Sequence, residues 1–397
     1  MLAFLSFIVL GFRAGSPTRM IYDEPYYVPA ARALLSGTPS NLNPEAPPMG
    51  KLMIAAGIRL FGDTPFGWRF FGVVCGALTV LGVYFWTYLL VWKNDLAITA
   101  ASLTLLNNFT FIMSRTAMMD VYLVAFVVLA ILAFTAALEL QIAVNLRRVL
   151  MASSGLWLGL ACASKWNGID TLLVLLLVVS AMWLIPWTSC QTRSWRTRLS
   201  EIGVFYTYGS LGLVALATYC GTFLPLLHGL NQPMTVRSLV AQNLYIWRFH
   251  VSVPYNPAIV LPWYKWFFQT SPQRALSYLV GNVVVMWGGL LALVFCAYRF
   301  WRFADLRAGL VALLYVANVL QWVVTPCKGL LYYYYYPAAT FLGVAIVVML
   351  SRIRRSQVFG VRLCLLTVLA AGVFFVRCYP QMTHLEAPWD CALGCWT

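Results

Sequence analysis

The sequence predicts an all-α polytopic membrane protein, with about eleven transmembrane helices and further helices lying along its outer face. Two observations carry this. Of the 397 residues, 61% are hydrophobic and only 10% are charged, against about 25% charged in an ordinary soluble domain, and the mean hydropathy is +0.78. No water-soluble fold hides that much apolar surface. The apolar residues also arrive in discrete runs separated by short polar loops.

The first run, Met1–Phe12, is shorter than the roughly 20 residues a span needs. Either Arg13–Met20 completes it or the start is shortened, and the second reading is favoured. The later runs are Phe70–Trp92, Leu96–Ile112, Val121–Leu138, Val149–Ala163, Ile169–Trp187 and Ile202–Leu227. Leu276–Tyr298, Ala308–Val324, Leu330–Leu350 and Phe359–Val376 follow. The two longest outer segments, Arg13–Arg69 and His228–Ser271, are rich in aromatics, Pro and Asn. Long connections of this kind tend to be functional. Two regions follow: 1–227, a catalytic transmembrane region bearing the first polar segment, and 228–397, an outer loop plus four C-terminal spans.

The formal net charge of +15 would point to nucleic acid in a soluble chain. Here 13 of the 27 cations, from Lys93 through Arg147-Arg148, Arg193, Arg299 and Arg352 to Arg362, crowd into short loops on one side of the predicted bundle. Positive-inside bias explains them and makes that side cytoplasmic. The expected surroundings are a lipid bilayer, with no nucleic acid partner. The ten cysteines show no ligand spacing, and His228, His250 and His384 are scattered, so a divalent metal has no support in the sequence and no cofactor is called for. Cys378, Cys391 and Cys395 cluster near the C-terminus, where an oxidising compartment would permit a disulfide.

Ile21–Lys51 is a polar island in this apolar chain. It begins with the adjacent acids Asp23 and Glu24 and ends with Pro47-Pro48-Met49-Gly50-Lys51. Two carboxylates beside a span are costly unless hydrated, paired or functional. Asp23 followed by Pro25 also fits a helix N-cap, and the two roles are compatible. Asp120, in a short outer loop, is either a cap for the helix beginning at Val121 or a second acid at the same site. Arg115, Lys165 and Lys328 each sit alone in a short outer loop, and Lys51 and Arg69 flank the second span. Positive-inside bias should deplete these positions. Single cations recurring on one rim therefore point to a converging anion site such as a lipid phosphate. Snorkelling to headgroup phosphates is the alternative. Trp263 is a candidate for stacking on a sugar, or an interfacial anchor.

These residues resemble a family, the bacterial branch of the protein O-mannosyltransferases, membrane glycosyltransferases of the GT-C class. Tyr22-Asp23-Glu24-Pro-Tyr-Tyr27 resembles the family's DE motif after the first span. Glu45-Ala-Pro-Pro-Met-Gly-Lys51 is similar to its HPPLGK element, departing from it at Ala46 and Met49. Gly67-Trp-Arg69, Ser114-Arg-Thr-Ala-Met-Met-Asp120, Ser164-Lys165-Trp-Asn-Gly168, Pro262-Trp263 and Tyr332–Pro337 resemble later family elements in order. The resemblance implies the GT-C fold and transfer of mannose, with inversion, from a polyprenyl-phosphate donor to Ser or Thr hydroxyls of exported proteins. It implies a multi-pass plasma-membrane location with the site on the extracytoplasmic face. On this reading Asp23 is the base, assisted by Glu24. Arg69, Lys51, Arg115, Lys165 and Lys328 hold the donor phosphate. Asp120 and Trp263 position acceptor or sugar. The alternatives are a relative acting on a lipid or glycan, as aminoarabinose transferases do, a catalytically dead homologue, or a secondary transporter, which would need charges or broken helices at mid-membrane.

Overall fold

The structure is a computed structural model, and it describes residues 2–38, 42–185, 190–253, 261–269, 279–325, 331–353 and 356–383. Every regular element among them is helical. In chain order they are α1 (Leu2–Gly11), α2 (Glu24–Ser36), α3 (Met49–Phe61), α4 (Pro65–Val91), α5 (Asn94–Leu105), α6 (Asn108–Ser114), α7 (Met119–Glu139) and α8 (Val144–Ser164). Then come α9 (Gly168–Leu184), α10 (Cys190–Ile202), α11 (Val204–Gly229, with a π-helical turn over Gly209–Val214) and α12 (Val236–Ser252). The last four are α13 (Val283–Phe303), α14 (Leu306–Val324), α15 (Tyr336–Ile353) and α16 (Gln357–Thr383). Short 3₁₀ turns occupy Trp263–Phe268 and Tyr332–Tyr335.

Among the described residues seven helical segments are long and apolar enough to cross a bilayer, or eight if α5 and α6 form one bent span. The expected eleven differ from this for identifiable reasons. The Leu96–Ile112 run is broken by 60° between α5 and α6, where Asn107 accepts the Phe109 amide and caps the second arm. Helices α1 and α9 are apolar but short. Helix α8 is long enough, but it starts at Val144 and takes Arg147-Arg148 into its first turns.

Helix α7 is the centre of the bundle, buried along almost its whole length and flanked by α4 and α8. Helix α15 is buried to a similar degree against α5, α13 and α14. Without a hydrophobic drive between helices in lipid, close approach depends on small residues. Gly155 and Gly159 of α8 supply it: a Cβ there would stand 1.8 Å from the Ser210 carbonyl oxygen and 2.5 Å from that of Ala215, both on α11.

The two ends of the bundle carry different chemistry. At one end Glu139, closing α7, accepts from Trp195 (3.0 Å) and from Arg307 Nε and Nη2 (2.9 and 2.8 Å). Asp305 pairs with Arg299 and Arg352 at the same end, so Arg299, Arg307 and Arg352 among the crowded cations are paired structural groups. The opposite end, where α7 and α15 begin and α8 finishes, holds Asp23, Asp120 and Lys165.

Candidate active site

Helix α2 begins at Glu24 with Asp23 in the N-cap position, Pro25 in its first turn, and left-handed Gly37 closing it. Asp23 does not cap, for its side chain makes no hydrogen bond to the helix N-terminus. Tyr22, with φ +54, turns the chain through the left-handed region that side chains avoid. The Asp23 carboxylate accepts instead from the Tyr333 phenol, 2.6 Å from Oδ2. The Tyr27 phenol and the Lys165 and Asp120 charges also act on it. Desolvation dominates and lifts its pKa above the ordinary carboxylate value; the Tyr333 bond and Lys165 pull it back, Asp120 raises it, and Tyr27 lowers it. A half-buried carboxylate of raised basicity is what a general base requires.

Asp120 lies in the first turn of α7 and is buried. It caps nothing, since the N-cap position falls at Met118. Its Oδ1 accepts from Lys165 Nζ at 2.7 Å. The same ammonium stands 3.8 Å from the Tyr334 ring centroid and 5.4 Å from that of Tyr333, a cation–π clamp. Lys165 is one of the polar groups lining a cavity of about 610 Å³, with Tyr27, Pro47, His250 and Tyr334 nearby on its wall. The cavity runs on between α9 and α14 past Leu173, Leu177, Leu320 and Val324, all of which are exposed on the bundle's surface.

The expected phosphate ligands separate. Arg69 spends all five N–H groups inside the protein. Nε and Nη2 grip Glu24 at 2.7 Å each, Nη1 reaches the carbonyls of Ala14 and Pro17, and Nη2 also reaches that of Arg19. Lys51 gives its three hydrogens to the carbonyls of Leu42 (3.2 Å), Asn43 (2.5 Å) and Ala46 (2.9 Å). Both side chains are completely buried, so neither has a donor left for a ligand. Arg115 is buried too, bonded to the Arg13 carbonyl and stacked 4.7 Å over Phe111, and it does not line the cavity. Lys328 lies outside the described residues, as do Cys391 and Cys395. Only Lys165, of the four described cations, faces the cavity.

Glu24 is likewise committed. Besides Arg69 it accepts the backbone amides of Ile21 (2.9 Å) and Ala117 (2.8 Å), so it pins the acidic loop to α4 and to the loop before α7 rather than meeting substrate. Trp263 packs edge-on against Phe267 and Tyr264 and is not on the cavity wall. The Pro-Pro-Met-Gly-Lys segment packs onto the start of α7: a Cβ on Gly50 would fall 1.9 Å from Met119 Sδ. Removing one member of a buried ion pair costs about 3–5 kcal/mol. Arg69→Ala is therefore expected to depress the thermal unfolding midpoint in detergent strongly; an unchanged midpoint with weakened phosphate binding would return Arg69 to the phosphate.

Comparison with known proteins follows the same lines. The family model described as dolichyl-phosphate-mannose-protein mannosyltransferase matches residues 60–228. A polyprenol-phosphate-mannose–protein mannosyltransferase of Mycobacterium tuberculosis is 25% identical over 94% of this chain and 84% of its own length. That of Mycolicibacterium smegmatis is 28% identical over 85% and 78%. Over most of its length the chain is similar to protein mannosyltransferases. Its fold is that of the Saccharomyces cerevisiae Pmt1–Pmt2 complex solved with its sugar donor, at TM-score 0.80, 13% identity and coverage of 99% of this chain and 90% of that one. ArnT from Cupriavidus metallidurans, solved with undecaprenyl phosphate, is similar at TM-score 0.61 and 17% identity, over 89% of this chain and 60% of its own. Both are GT-C architectures, and the expected fold class holds. Similarity to mannosyltransferases along most of the chain favours a transferase over the transporter reading.

The sequence alone marks no role for Tyr27, Tyr333, Tyr334 and His250. The signal for two of them was present in the Tyr332–Tyr336 run placed beside an outer loop.

Proposed function

We propose that this chain transfers mannose from a polyprenyl-phosphate carrier to Ser or Thr hydroxyls of exported proteins at the extracytoplasmic face of the plasma membrane. The observation that carries the mechanism is Lys165 on the wall of a cavity that runs on between α9 and α14, with Asp120 hydrogen-bonded to it and Asp23 near enough to feel its charge. An amphiphilic donor fits that shape. Its phosphate meets Lys165 and its polyprenyl tail lies along Leu173, Leu177 and Leu320.

The chemistry is one displacement. The acceptor hydroxyl attacks the anomeric carbon while its proton passes to the Asp23 carboxylate. The bond from that carbon to the phosphate oxygen breaks, and polyprenyl phosphate leaves with the electron pair. The leaving group needs a cation rather than an acid, and Lys165 supplies it. Asp120 and the Tyr334 ring aim Lys165, and the Glu24–Arg69 pair fixes the loop that carries Asp23. Region 1–227 thus provides base and phosphate ligand, and region 228–397 closes the site through Tyr333 and Tyr334.

Purified protein with radiolabelled polyprenyl-phosphate-mannose, offered a Ser/Thr peptide beside a lipid acceptor, tests the reading. Label on the peptide hydroxyl is expected. Label on lipid alone would favour the glycolipid alternative.

A further inference from the structure

Asp23 is held by Tyr333, which reaches it from a distant part of the chain, with Tyr27 close by on α2. Tyr333 lies 310 positions further on, in the 3₁₀ turn that leads into α15, and its phenol bonds Oδ2 at 2.6 Å. Tyr27 lies one turn along α2, and its phenol acts on the same carboxyl. Tyr333 is buried and wedged edge-on between Tyr22, at 6.4 Å, and Tyr334, at 4.9 Å. The carboxylate is free to meet these phenols because it does not cap α2.

We propose that Tyr333, with Tyr27 beside it, is a positioning residue that fixes the aim of Asp23 toward the acceptor hydroxyl. The proposal rests on Asp23 being the base. With Oδ2 tied to Tyr333, the carboxylate has lost its rotational freedom about the last side-chain bond, and one lone-pair direction is presented to the incoming hydroxyl. The charged groups around it are few. Lys165 arrives from the end of α8 and Asp120 from the start of α7, while Glu24 is turned away onto Arg69. Burial and Asp120 favour the protonated form of Asp23; the two phenols and Lys165 oppose it.

A base works only when deprotonated, so activity falls as pH drops through its pKa. A hydrogen bond to the charged form lowers that pKa. Removing a phenol raises it, and activity is then lost at a higher pH. Hydrogen bonds to charged groups are strong enough to move the acid limb by roughly one to two pH units.

The test is the pH dependence of kcat/KM for mannosyl transfer from polyprenyl-phosphate-mannose to a Ser/Thr peptide, for the native protein, Tyr333→Phe and Tyr27→Phe. Donor binding is measured alongside. Phenylalanine keeps the ring packing and removes only the hydroxyl. The expected result is an acid limb displaced upward in each variant, with donor affinity within about twofold. An acid limb that stays in place in a folded, active Tyr333→Phe protein overturns the proposal. If Tyr333→Phe does not fold, an unmoved limb in Tyr27→Phe overturns it equally. Native protein without transfer at any pH would instead remove the mannosyl-transfer reading on which the proposal stands.

Discussion

Asp23→Asn is expected to cut the turnover of mannosyl transfer by roughly 10²–10⁴-fold, the range that a positioned general base contributes, and to leave donor binding close to native. The amide keeps the shape of the carboxylate, and its oxygen still accepts the Tyr333 phenol, so the loop should hold its place. What it lacks is a site for the acceptor proton. Donor binding should survive because the cation facing the cavity is Lys165, whose own partner is Asp120 at 2.7 Å. Single-turnover transfer and equilibrium binding of polyprenyl phosphate, measured on the same preparation, separate the two quantities. Turnover within threefold of native would remove Asp23 as the base.

Lys165→Gln should do the reverse in its first effect: donor binding fails before chemistry is reached. Truncating one partner of a desolvated charge pair costs about 2–5 kcal/mol, which corresponds to at least ~30-fold weaker binding. The variant also strands Asp120, a buried carboxylate, so Asp120→Asn is the informative companion. It leaves the ammonium charged and still clamped 3.8 Å over Tyr334. Donor binding should then fall far less than in Lys165→Gln. Equal losses in the two variants would make Lys165 a structural partner of Asp120; binding within twofold of native in Lys165→Gln would take the phosphate away from it.

Much of this was legible in the chain itself. Hydropathy runs report apolar length directly, so most of the bundle could be read from them. The count of spans was harder, because a polar break such as Leu106-Asn107 and an arginine-bearing start such as that of α8 change the geometry without interrupting the greasy run. Asp23 stood out because adjacent acids beside a span need a reason. The partners of the cations were not legible. Arg69, Lys51, Arg115 and Lys165 look alike as isolated positive charges, and only the folded chain distinguishes them. Carbonyls from Ala14 and Pro17 converge on Arg69 across more than fifty residues, and those of Leu42, Asn43 and Ala46 on Lys51. Lys165 alone of these is left lining the cavity. Tyr333 was hidden for the same reason: its contact with Asp23 joins residues from the two ends of the chain, and no local pattern records a contact at that separation.

A single displacement, with Asp23 drawing the proton and Lys165 holding the departing phosphate, inverts the anomeric carbon. A double displacement through a mannosyl ester on a carboxylate would retain it. The one-bond carbon–proton coupling at the anomeric carbon, measured by NMR on the donor and on the mannosylated peptide, decides between them. The expected product has the configuration opposite to that of the donor; a product with the donor's own configuration would contradict Asp23 as the base.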